Sequence, residues 1–229
     1  MSKRSRPHGS CIFCGQHGPL TDEDAIPTWL MRIISPAALS WGKNPAAWRK
    51  NMRPTPAGFR LKLPALCERC NSAWLGPIER RAKPKLLAWM AGVVSPLTQD
   101  DQRLLSFWAV KTAMTIQLAH PEASPVIPLA QYRELHRSRT HPPAGFRVWA
   151  QIAPIRTHGV LLGTKPVFDA TAGDVAYEVS LDIRRLALRI VGSHGNDALR
   201  TGAAIAMFEG YPEAMHQIWP TTSQFLLTA

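Results

Sequence analysis

Two Cys-x-x-Cys pairs, Cys11-Ile-Phe-Cys14 and Cys67-Glu-Arg-Cys70, contain every cysteine of the chain and constrain its fold more than any other feature. Each pair delivers two sulfurs from one tight turn, so two such turns brought together supply the corners of a tetrahedron. Gly15 follows the first pair, where a turn favours a residue without a Cβ, and Asn71 follows the second. Met1 to Ser10 is polar and basic with no apolar leader, and no run of eighteen apolar residues occurs, so a cytoplasmic protein with no membrane association is expected. In a reducing compartment, paired cysteines read as metal ligands in preference to disulfides, unpaired thiols or a redox pair. A site of four thiolates suits Zn²⁺ and leaves no coordination position open, which makes the expected zinc structural. Fifty-two residues separate Cys14 from Cys67, more than a compact ribbon requires, so the module is expected to carry an insertion.

The charge is distributed unevenly. Residues 1–90 hold fifteen Lys and Arg against five Asp and Glu, whereas residues 91–229 hold twelve against eleven, so nearly all of the net +11 lies with the cysteines. Between Asp24 and Glu68 no acidic residue occurs. A basic segment of this kind either keeps a protein soluble or meets a polyanion, and its coincidence with a metal module favours nucleic acid. Arg49, Lys50, Arg53, Arg60 and Lys62 are the candidates for phosphate contacts, with Arg80 and Arg81 extending the track. Trp41 and Trp48 lie in the same segment, where they either stack on bases or pack the loop down.

The order of elements predicts an α+β protein in three parts. Residues 1–10 form a flexible basic arm, residues 11–90 the cysteine module, and residues 91–229 a domain of helix and antiparallel sheet. Within the module, Pro36 to Pro64 lacks periodicity and reads as a long irregular loop. Ala73–Ala91 has a helical pattern limited by Pro77 and Pro84. Thr98, with Asp101 three residues later, starts a helix whose apolar residues from Leu104 to Leu118 cover too much of its circumference for the surface. Lys111 stands alone among them, either reaching to solvent or pairing with an acid. Beyond it the period shifts to two: strands are expected at Phe146–Ile152, Val160–Phe168, Val175–Ile183, Leu186–Val191 and within Gln217–Leu227, with a short helix at Ala198–Phe208.

The first eighty residues resemble the HNH endonucleases, a family built on a two-stranded ribbon and helix around a catalytic metal and often braced by zinc knuckles. The resemblance rests on Cys11-x-x-Cys14-Gly15, then Leu20-Thr21-Asp22-Glu23-Asp24-Ala25-Ile26-Pro27 with Trp29-Leu30, then Cys67-x-x-Cys70-Asn71 and Trp74 to Glu79. It implies that Glu23 is a ligand of a catalytic Mg²⁺ or Mn²⁺, that Asn71 braces the active-site loop, and that Glu79 supplies a further ligand. Asp24 departs from the pattern, since the family places its general-base histidine there. An aspartate is a far weaker base than an imidazole near neutral pH. His17, on the turn after the first knuckle, is the best substitute. Without the resemblance, Asp22, Glu23 and Asp24 read as an acidic turn capping a helix from Pro27 to Ile34.

The expected function is therefore a divalent-metal-dependent endonuclease acting on DNA, or alternatively on RNA. The rival is a catalytically silent zinc module that binds nucleic acid or a protein partner. The C-terminal part shows no nucleophile–base pair and no phosphate loop, which leaves it target recognition, self-association or completion of the core.

Overall fold

The α+β architecture follows from where the sequence changes period. A computed structural model describes residues 6–33, 52–55, 58–119, 127–153, 162–166, 175–194, 215–221 and 225–226. The first sheet is antiparallel, with β1 (His8–Ser10), β2 (His17–Asp24), β3 (Met52–Thr55) and β4 (Gly58–Cys67) in the order β1-β2-β4-β3. The short helix α1 (Thr28–Met31) follows β2. A π-helical turn (Arg69–Leu75) runs from the second cysteine pair directly into α2 (Gly76–Met90). After β5 (Pro96–Leu97) come the long helix α3 (Gln99–Ala119) and α4 (Leu129–Ser138). The second sheet contains β6 (Phe146–Ile152), β7 (Leu162–Pro166), β8 (Val175–Ile183), β9 (Leu186–His194) and β10 (His216–Trp219) in the order β10-β6-β9-β8-β7, all antiparallel. A final strand, β11 (Phe225–Leu226), pairs with β5.

The expected start of α3 is realised as a reciprocal cap. The Thr98 backbone N–H donates to Asp101 Oδ2, and the Asp101 N–H donates to Thr98 Oγ1, each at 3.2 Å. Every residue from Leu105 to Gln117 is buried. The reason is position: α3 packs on β6, β9 and β10 on one side and on α2 and β4 on the other. Among the described residues, no helix is long and apolar enough to cross a membrane.

Three expectations about the N-terminal part change. The arm does not extend to residue 10, because His8–Ser10 pairs with His17–Pro19. The loop expected from Pro36 to Pro64 ends instead in a hairpin, β3 against β4; Phe59, Leu61 and Leu63 alternate there with Arg60 and Lys62, a period of two that the surrounding Pro and Gly obscured. The acidic triplet Asp22–Asp24 ends strand β2 rather than forming a turn. Pro64 is accommodated by a register shift between Thr21 and Asp22, and the extra residue on β4, Ala65, accepts a hydrogen bond from the Ile12 N–H at 3.0 Å. The irregularity in the ribbon thus ties it to the first knuckle. The helix expected at Ala198–Phe208, and Trp41 and Trp48, lie outside the described residues.

The apolar core is continuous from the cysteines to the second sheet. Phe13 of the first knuckle meets Trp74 edge-on with ring centres 5.5 Å apart, Trp74 meets Phe107 of α3 at 5.8 Å, and Phe13 meets Tyr132 of α4 at 5.7 Å.

In the second sheet, Gly192 lies opposite Tyr177, and a Cβ there would collide with the tyrosine ring. That ring is held because its hydroxyl donates to Gln131 Oε1, while Gln131 Nε2 donates to the Ser193 carbonyl at 2.8 Å. Gly192→Ala is expected to lower stability by about 1–3 kcal/mol through overpacking, read as an earlier urea midpoint with an unchanged slope.

Candidate functional site

The four cysteine sulfurs lie within 4.8 Å of one another, with Cys11 and Cys70 buried, and this group could hold a metal ion. Cys14 Sγ and Cys67 Sγ are 3.7 Å apart. The Cys11 thiol is pushed down to about 4, first because the Cys70 thiol donates to it and further by backbone N–H groups of the knuckles, against the opposing effect of burial. The Cys70 thiol moves up correspondingly, first through its interaction with Cys11 and further through burial. The first knuckle is clamped from outside: Arg133 of α4 donates to the Cys11 carbonyl at 2.9 Å, and Gly15, at φ +84°, passes so close to that guanidinium that a Cβ would clash with it.

Next to this cluster, at the C-terminal end of β2, lies a pocket of about 360 Å³. Glu23, Asp24, Asn71, Glu79 and Arg80 all line it, although nearly fifty residues of chain separate the first two from the rest. The ribbon brings Glu23 and Asp24 to the mouth, pairing them with Leu63 and Lys62 of β4, and α2 brings Glu79 and Arg80 to the opposite wall. Asn71 Nδ2 donates to Thr21 Oγ1 at 2.9 Å, and that hydroxyl donates to the Leu66 carbonyl at 2.9 Å, so the asparagine fastens the helix entrance to both strands.

Each carboxylate has a defined partner. Lys111 Nζ of α3 donates to Glu23 Oε1 at 2.6 Å, in a pair whose side chains are 4% and 9% exposed. Thr28 Oγ1 donates to Asp24 Oδ2 at 2.7 Å. Trp29 Nε1 donates to Glu79 Oε1 at 3.0 Å. Burial pushes the Glu79 carboxyl above its ordinary value of 4.5; Glu23 and Asp24 add to the rise, and Lys111 and the Trp29 N–H oppose it. Among the described residues, the group of three or more potential metal ligands gathered within bonding reach is the cysteine cluster, and the pocket carboxylates do not form a second.

The other candidates are scattered. His17 opens β2 at its far end, six residues from Glu23 or about 20 Å along an extended strand, and its ring lies 6.5 Å from that of His8. It is not among the pocket residues. Lys62 forms an ion pair with Asp22 at 3.7 Å. Arg53 and Arg60 occupy facing positions on β3 and β4, while Arg49 and Lys50 lie outside the described residues. Arg81 projects from the other side of α2, away from Arg80.

Lys111 is the functional candidate that sequence reasoning left without a role. Its signal was present as a lone cation in an otherwise buried helix, but its partner lies 88 residues away. Thr115, one turn on, donates to the Ala25 carbonyl at 3.0 Å and fixes the same strand end. Comparison with family models, characterised proteins and solved structures returns no match.

Two outcomes follow from this geometry. Lys111→Met leaves Glu23 buried without a counter-charge and is expected to cost about 3–5 kcal/mol of stability, with much of that loss recovered in the double variant Lys111→Met/Glu23→Gln, both read by chemical denaturation. Glu79→Gln keeps an oxygen for Trp29 but removes a buried charge. Because the folded-state carboxyl titrates above its unfolded value, the wild type gains stability as pH falls through that window, so the variant's advantage in thermal midpoint is expected to be larger at pH 7.5 than at pH 4.5.

Proposed function

We propose that this chain is an HNH-type endonuclease that hydrolyses DNA phosphodiesters with a divalent metal, on a module braced by structural Zn²⁺. The observation that carries the reading is the convergence of Glu23, Asp24, Asn71 and Glu79 on one pocket between a strand pair and a helix, beside the four cysteines. Each was singled out by its place in a motif, and nothing local in the sequence required them to meet.

Zinc suits the cysteine cluster on its dimensions. Four Zn–S bonds of about 2.3 Å in a tetrahedron set the sulfurs about 3.8 Å apart, and the Cys14–Cys67 separation is 3.7 Å. The oxygen-rich pocket suits a hard cation such as Mg²⁺ or Mn²⁺, with Glu23 and Glu79 as its holders; bound there, the ion would neutralise a phosphate and acidify water. The chain's own groups prepare the site. Lys111 holds one oxygen of Glu23 and leaves the other for the pocket. Asn71 keeps the ribbon and helix in register. Arg80 supplies positive charge at the rim.

A second reading, a silent module retained for binding, is favoured by Asp24. It occupies the general-base position and is engaged by Thr28, an arrangement that suits a helix entrance as well as catalysis.

The test is nicking of supercoiled plasmid and of single-stranded DNA with Mg²⁺, Mn²⁺ or neither. The nuclease reading expects metal-dependent cleavage that Glu79→Gln and the charge-balanced Lys111→Met/Glu23→Gln each reduce by about 100-fold or more, with folding checked by the denaturation midpoint. Cleavage by Asp24→His with an inert wild type would instead establish the silent module. One zinc per chain is expected by elemental analysis, and Cys67→Ser/Cys70→Ser is expected to lose both the metal and the cooperative unfolding transition.

A further inference from the structure

The side of α2 turned away from the carboxylate pocket faces a second cavity, of about 500 Å³. Its apolar surface comes from Ile78 of α2 and from Leu104 and Phe107 of α3. Three guanidinium groups, from Arg81, Arg103 and Arg139, border it together with His141, against a single carboxylate, Asp100. Glu79 and Arg80 line the first pocket while Ile78 and Arg81 line the second, so one helix forms a wall of each.

Two of these groups, Arg139 and His141, are held in place by aromatic rings. Arg139 sits at φ +63°, its guanidinium carbon is 5.2 Å from the centre of the Trp74 ring, and its carbonyl accepts from Trp74 Nε1 at 3.4 Å. The His141 ring stacks on Trp219 with centres 5.6 Å apart and planes 13° from parallel. Its Nδ1 lies 3.0 Å from the Pro142 carbonyl, which can only accept, so Nδ1 carries a proton in this contact and the ring is fixed from both sides. The neutralising acid is weakly committed: Asp100 is 85% exposed in its 3.1 Å pair with Arg103. Arg81 has no carboxylate partner among the described residues.

We propose that this cavity is a phosphodiester-binding subsite for the same DNA strand whose reacting phosphate enters the carboxylate pocket. The inference rests on the nuclease reading and extends it to the C-terminal half of the chain, which supplies Arg103, Arg139 and His141. A helix with its side chains is about 10–12 Å across, a distance that a few nucleotides of an extended strand span, so a strand crossing α2 places one phosphate in each cavity. Planar guanidinium groups suit bidentate contact with phosphate oxygens, and the apolar surface suits the face of a neighbouring sugar or base. A free nucleotide would fill the second cavity but would not reach the first.

The test uses the full-length, zinc-loaded protein without added Mg²⁺ or Mn²⁺, a fluorescein-labelled 20-nucleotide single strand, and titration at several salt concentrations. Arg81→Gln/Arg103→Gln is expected to weaken binding about 10-fold and to reduce the slope of log K against log salt by about 1.4, since each phosphate neutralised on a single strand accounts for about 0.7 of that slope. Arg81→Lys/Arg103→Lys is expected to restore most of the slope. Arg147→Gln/Arg184→Gln removes equal charge from the second sheet and is expected to change affinity less than 2-fold. Equal losses in both Gln pairs, an unchanged Arg81→Gln/Arg103→Gln variant, or a wild type that binds the strand no better than it binds a free nucleotide would each overturn the subsite. Plasmid cleavage run alongside separates the two readings: a wild type that binds through these arginines but never cleaves keeps the subsite and loses the nuclease, whereas cleavage untouched in the Gln pair keeps the nuclease and loses the subsite.

Discussion

One buried ion pair organises much of this molecule. Lys111 Nζ and Glu23 are brought out of water together, and each charge left alone would cost several kcal/mol. The end of β2 and the middle of α3 therefore have to be seated against each other for either charge to be tolerated. Thr115 reinforces the junction through the Ala25 carbonyl. The carboxylate pocket is built where this junction meets the entrance of α2, so its electrostatic character is set as much by the core helix as by the residues that line it. An ammonium beside one oxygen of Glu23 also limits how much negative charge the pocket accumulates, which makes three clustered carboxylates compatible with a folded state.

The cysteine cluster imposes a different kind of order. It fixes the strand ends rather than the charges: the first knuckle is bonded to the bulged Ala65 of β4 and clamped by Arg133, and the second continues directly into the π-helical turn and α2. Rotation of α2 is thereby determined at its root. Which residues face the carboxylate pocket and which face the arginine cavity depends on that rotation, because a shift of one residue turns a helix by about 100°. Asn71, bonded to Thr21 within the first turn, sets it.

The sequence was most readable where a local interaction decides local structure. Thr98 and Asp101 mark the start of α3 because a capping pair spans only three residues of chain. The alternation Phe146–Ile152 marks β6 for a similar reason, since burial on one face repeats every second residue. The cysteine spacing pointed to a four-sulfur cluster that could hold a metal ion, and the four sulfurs do gather; Glu23, Asp24, Asn71 and Glu79 line one pocket. What escaped was decided at long range. Strand β4 was hidden by Gly58, Pro64 and its basic residues, and it pairs because β2 offers a ladder for it, with the proline absorbed at a bulge. Helix α4, which no signal singled out, is held by Tyr132 and Gln131 reaching other elements. His17 looked close to the acidic residues in sequence, but an extended strand carried it to the far end of the ribbon.

The aromatic chain from Phe13 through Trp74 to Phe107 and Tyr132 bears on how such a protein can change over generations. Metal-braced modules are often pictured as cassettes, exchanged between unrelated partners by recombination at a linker. Here the joint near residue 90 is covalently simple but sterically shared, because the rings that close the cysteine module's underside belong to helices encoded after it. A crossover at that point would deliver a knuckle without its floor. The N-terminal and C-terminal parts are therefore packed as one unit, and substitutions at Phe13 or Trp74 are felt directly by α3 and α4.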